Sequence, residues 1–141
     1  MDDLDIAAVS ITTKRIAEET TLRLIITVHG VAPSDEDMAK VLQWIQRLYS
    51  YITVHQMAFG TIIVLPVHFD DPTALTRLFS ALEDKRHVTR RYSIGTCIVA
   101  PGVAAMLARI VLTTYRTSGA IEIVTCVDDA KKFLRTEARK L

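Results

Sequence analysis

Residues 93–118 read SIGTCIVA and then PGVAAMLARIVLTTYRTS, and the reading of this stretch decides the fold. Its first half is a short apolar run rich in β-branched residues and bounded by Gly and Pro, the pattern of a buried strand. The second half opens with Pro101 at a first helical position, where a missing N–H costs nothing, and stays apolar for four turns. Val103, Met106, Leu107, Ile110 and Val111 form the stripe expected to face a sheet. Ala104, Ala105, Ala108 and Leu112 form the opposite face, and Arg109 is the only charge between Pro101 and Tyr115. A helix buried on one face needs a single apolar stripe. This one has apolar surface left over.

Working outward, the same alternation recurs on both sides. Upstream, TIIVL at 61–65 is a continuous apolar run, the mark of a strand covered on both faces. It ends at Pro66, and Asp70-Asp71-Pro72 then marks a helix start, with Asp71 as cap and Pro72 at the first position. Leu75, Leu78, Phe79 and Leu82 give that helix its buried stripe, and Lys85-Arg86-His87 with Arg90-Arg91 reads as a loop. Further upstream, Met38, Val41, Leu42, Ile45, Leu48 and Tyr49 repeat at helical spacing, with Trp44 at the border. Ser34 and Asp37 form a capping-box pair at the start, and the pattern fades near Tyr51. Two strand-like segments, 6–12 and 22–28, open the chain as an antiparallel hairpin. Downstream, Ser118-Gly119 ends the apolar helix, IEIVTCV at 121–127 is the last strand, and Asp128 caps a final helix with Ala130, Phe133 and Leu134 inward.

The expected order is therefore β-β-α-β-α-β-α-β-α. It describes an α/β chain of about five strands and four helices: one mixed sheet, with an N-terminal hairpin followed by alternating units joined by right-handed crossovers. With 141 residues, 1–141 is expected to form one domain with a real core.

Composition narrows the function classes. The hydrophobic share is 50% and the charged share 23%, which is ordinary for a globular chain. A net charge of +1 gives no global field to draw nucleic acid or anionic lipid. The chain begins Met1-Asp2-Asp3-Leu4-Asp5, without the basic start and apolar run of a signal peptide. No uncharged apolar run reaches the roughly 18 residues of a membrane span. A cytoplasmic location is the expectation. Cys97 and Cys126 both fall in segments read as buried strands, where free thiols behave as small hydrophobes.

The order and its punctuation resemble the STAS domain, named after sulfate transporters and anti-sigma-factor antagonists, in the branch that also resembles Sec14-type lipid-binding domains. The matching pieces are LRLIITVHG, TIIVLPVHFDDPTAL, IGTCIVAPGVAAML and AIEIVTCVDDAKKFL, which together span roughly residues 6–135. The resemblance implies a non-enzymatic module that binds a protein partner as a regulator or assembly component. Its Sec14-like side implies, as the alternative, a lipid or small-molecule ligand. Anti-sigma-factor antagonists carry a phosphorylated Ser in the turn after the central strand. Here that turn reads Asp70-Asp71-Pro72-Thr73, so Thr73 is the nearest hydroxyl and would face two carboxylates.

The residues themselves offer little catalytic material. His29, His68, Asp70, Asp71 and Asp128 collect at the edge where open α/β sheets bind ligands, but their spacing is not a metal motif and the Asp residues have capping roles. Neither a phosphate loop nor a Gly-x-Ser-x-Gly elbow occurs. Lys85, Arg86, Arg90 and Arg91 lack an aromatic platform beyond Tyr92, so nucleic acid is not expected. The expectation is a non-enzyme without cofactor or metal, with a protein partner that includes a second copy of itself. The small outer face Ala104, Ala105, Ala108 and Leu112 is its candidate interface.

Overall fold

The computed structural model describes residues 3–15, 21–29, 34–67, 69, 72–114 and 120–140. Among these, one sheet of six strands carries five helices in the order β1 (Leu4–Asp5), β2 (Val9–Arg15), β3 (Leu22–Val28), α1 (Asp35–His55), β4 (Phe59–Val64), α2 (Pro72–Glu83), α3 (Arg86–Tyr92), β5 (Ser93–Val99), α4 (Val103–Thr114), β6 (Ile121–Val124) and α5 (Val127–Ala138). The strands lie side by side in sequence order. β1, β2 and β3 pair antiparallel, and β3 to β6 pair parallel. This is the expected mixed α/β sheet, with a short strand β1 and the helix α3 in addition.

Successive parallel neighbours joined by right-handed crossovers put their helices on one face. That face buries Leu24, Ile26, Ile63 and Ile98 from the strands under Leu48, Phe79, Val88 and Ala108 from α1 to α4. α5 follows the last strand and turns to the other face, where Ala130 and Leu134 pack with Ile62, Cys97 and Val99. The central strands β4 and β5 are thus buried along nearly their whole length, Thr61 and Thr96 included, because both their faces are covered.

The strand expected over 6–12 runs instead from Val9 to Arg15, and α4 starts at Val103 rather than at Pro101; three further boundaries differ from the sequence expectation. α1 does not fade at Tyr51. Its stripe continues to the fully buried Ile52, and it ends where Gln56 takes a left-handed conformation (φ 50°) with its N–H on Ile52 and Thr53. The β-branched Thr53 and Val54 had blurred that turn, although Thr53 Oγ1 donates to the Tyr49 carbonyl and tucks into the helix. The basic stretch read as a loop is α3, anchored by buried Val88. Within α1, Trp44 is buried while Leu42 is exposed.

The third boundary moves Cys126 and Asp128. β6 stops at Val124, and α5 begins at Val127 with Cys126, not Asp128, in the cap position. Cys126 is therefore exposed and makes no side-chain cap bond. Asp128 and Asp129 sit in the first turn, where carboxylates suit the positive end of the helix dipole. The Ser34 cap of α1 is present as expected: Ser34 Oγ accepts from the Asp37 N–H (3.1 Å) and Asp37 accepts from the Ser34 N–H (3.4 Å).

Candidate functional site

The faces of α4 differ from the sequence expectation: of the stripe expected to face the sheet, Leu107 and Val111 pack on the core, but Val103, Met106 and Ile110 do not. Ala104 and Ala108 are fully buried and Val111 nearly so, while Val103 (63%), Met106 (63%) and Ile110 (58%) are exposed. Ala105 and Leu112, also expected on the outer face, are half-buried against the core. The alanines do serve close approach, but toward the molecule itself: α4 lies over the sheet and beside α2, and a methyl side chain lets the helix come near both. A helix that is apolar all round leaves its stripe undecided by periodicity. The small Ala104 and Ala108 take the closest approach, with Val111 one turn further along the same inward face.

Val67, which follows β4, is a further exposed apolar residue (62%). The Leu65 N–H donates to the Val99 carbonyl (2.9 Å), which holds the two exits together.

Thr73 is exposed at the second position of α2. His68, Asp70 and Asp71 lie outside the described residues, so the acidic turn and the His29–His68 pair do too. Among the described residues, no three His, Cys, Asp or Glu side chains converge at metal-binding distance.

His29 has a partner that sequence reading missed. Its Nε2 lies 2.8 Å from Ser10 Oγ, and Ser10 Oγ donates to Asp5 Oδ1 at 3.0 Å. The antiparallel register of β1 on β2 places Asp5 opposite Ser10, and the His29 N–H on the Ala8 carbonyl (2.8 Å) fixes the other side. A hydroxyl has one proton. Given to Asp5, it leaves Ser10 to accept from a protonated His29 Nε2. With that polarity the chain ties the end of β3 to β2 and β1. Periodicity carries no signal for such a contact, because it depends on strand register.

The two thiols differ. Cys97 is fully buried, and burial, with Glu122 and Asp129 adding negative charge, raises its pKa to about 11. It stays protonated and inert near neutrality.

The apolar cavity between Val9, Val28, Val41, Phe69 and Leu78 holds about 20 Å³, room for a single water. A larger hollow of about 510 Å³ between α1 and α2 is an open groove, with Met38, Leu42 and Ile45 on its floor and Arg77, Asp84 and Lys85 on its rim. Arg77 is held there by Asp35 at 3.0 Å. No helix among the described residues is long and apolar enough to cross a membrane.

No family model, curated protein or solved structure matches this chain.

Proposed function

We propose that the chain is a non-enzymatic, STAS-like protein-interaction module, a cytosolic regulator or assembly component, whose contact surface is the outward row of α4. The observation that carries this reading is Val103, Met106 and Ile110: three large apolar side chains, each more than half exposed, on one face of one helix. Contiguous exposed apolar surface marks an interaction site, and Met adapts its shape to a partner. The occupant is a second copy, because a two-fold contact lets one patch cover itself and closes the assembly. Thr73, exposed at the start of α2, is the modifiable hydroxyl that the family resemblance brings to the same edge. The Sec14-type alternative needs an enclosed apolar cavity of about 300–1,000 Å³, whereas the apolar cavity between Val9, Val28 and Phe69, among the described residues, holds about 20 Å³.

A spin label tests the reading. Met106→Cys in a Cys126→Ser background places one reactive thiol on the outward row. Dipolar coupling between labels, lost on dilution with unlabelled chain, is the expected result. Labels that show no coupling at any protein concentration contradict the second-copy contact.

A further inference from the structure

α5 covers only the β4–β6 side of its sheet face. Beside it the residues of β2 and β3 that point the same way are Ser10, Thr12, Lys14, Arg23, Ile25 and Thr27. We propose that this uncovered strip binds a phosphate group, free or as a phosphomonoester, through Arg23, Lys14 and Arg135. Lys14 and Arg23 are direct cross-strand partners. Like charges directly opposite each other oppose pairing, so the register sets two cations together against their own repulsion. The third comes from α5. The partner of Arg23 on β4 is Gly60, and a Cβ added at Gly60 would meet Leu134 at 2.8 Å. Leu134 thus sits on the glycine next to Arg23, and Arg135 is the following residue. Lys131, one turn earlier, continues that flank of α5.

Arg23 itself is unfinished. Its Nε is buried and has no hydrogen-bond partner, although buried polar atoms are ordinarily satisfied. Burial, and then the charge of Arg135, lowers its pKa, the signature of a cation without a counter-charge. Among the described residues no ion pair reaches Lys14, Arg23 or Arg135. Among the described residues, Asp3 accepts from the Thr13 N–H at 3.4 Å and Glu137 pairs with Lys140 at 2.9 Å. A planar guanidinium fork flanked by two cations is the geometry that grips a phosphate in two places. Thr12, diagonal to Arg23, supplies a neutral donor.

The test is thermal melting of the full chain in inorganic phosphate, in glycerol 2-phosphate and in chloride of matched ionic strength. The wild type is expected to gain about 2–5 °C, saturably, in either phosphate. Arg23→Met removes the unpaired Nε and keeps the aliphatic stem, so it is expected to melt in chloride at or above the wild-type temperature and to lose the gain. Arg135→Gln, at an exposed position, is expected to fold normally and reduce the gain. No gain in the wild type overturns the site. So does an equal gain in wild type and Arg23→Met, which would be a general salt effect. If Arg23→Met does not fold, an undiminished gain in Arg135→Gln overturns it instead.

Discussion

At the scale of single residues, Cys97 and Cys126 separate by environment alone. Cys126 is exposed at the head of α5, and Cys97 is closed between β5 and α5. A thiol reagent at pH 8 is expected to modify one cysteine in the native protein and two in denaturant; two fast native reactions would place Cys97 wrongly. The pH dependence has a definite sign. Below the ordinary thiol value of 9.0, folded and unfolded chains both hold the proton. Between 9.0 and about 11 the unfolded chain sheds it while the folded chain keeps it, so stability falls as pH rises through that window. Cys97→Ala is expected to flatten the fall of the urea midpoint there, and an unchanged slope would count against the burial argument. In the core proper, Leu65 and Ile98 are almost fully buried. Leu65→Ala and Ile98→Ala should each cost about 2–5 kcal/mol in denaturant unfolding. Wild-type stability in both would contradict the packing described.

At the scale of elements, α5 is seated by two glycines. Gly60 and Gly95 are register partners on β4 and β5, and they leave the space that Leu134 and Phe133 fill. Gly60→Val is therefore expected to lift α5 from the sheet, exposing Cys97 to thiol reagents while the helices of the opposite face stay in place. An unreactive Cys97 in that variant would show that the strand absorbs the change instead. None of this is visible in the sequence, where a glycine in a strand signals only a close approach of some kind. What was legible follows the same logic. The Ser34 box, the apolar strands and the α2 stripe each declare themselves through local chemistry or a repeat, and they gave the mixed sheet and its order. The end of α1 was hidden by β-branched residues that the fold tolerates. α3 was hidden because one buried Val88 among four basic residues makes no period. The direction of α4 was hidden because a helix apolar on every side points equally well in every direction. There the small residues, read as an outer contact, are the inner one. The His29–Ser10–Asp5 chain and the Lys14–Arg23 pair depend on register, which periodicity does not fix.

At the scale of the whole molecule, the sequential strand order explains why the surface is uneven. Among the described residues, four helices fall on one face of the sheet and one on the other, so helices cover the second face only in part. The same order brings the exits of β4 and β5 together and raises α4 beside them, with its alanines inward and its bulky row outward. The central claim is that this outward row is covered by a second copy of the chain. Sedimentation velocity, with circular dichroism on the same samples, tests it most directly across wild type, Met106→Glu and Ala108→Arg. The wild type is expected to sediment as a dimer, and Met106→Glu as a folded monomer, because position 106 lies outside the core. Ala108→Arg is expected to unfold, because position 108 lies against the sheet. A wild type that stays monomeric at high concentration, or a Met106→Glu variant that stays dimeric, would contradict the claim.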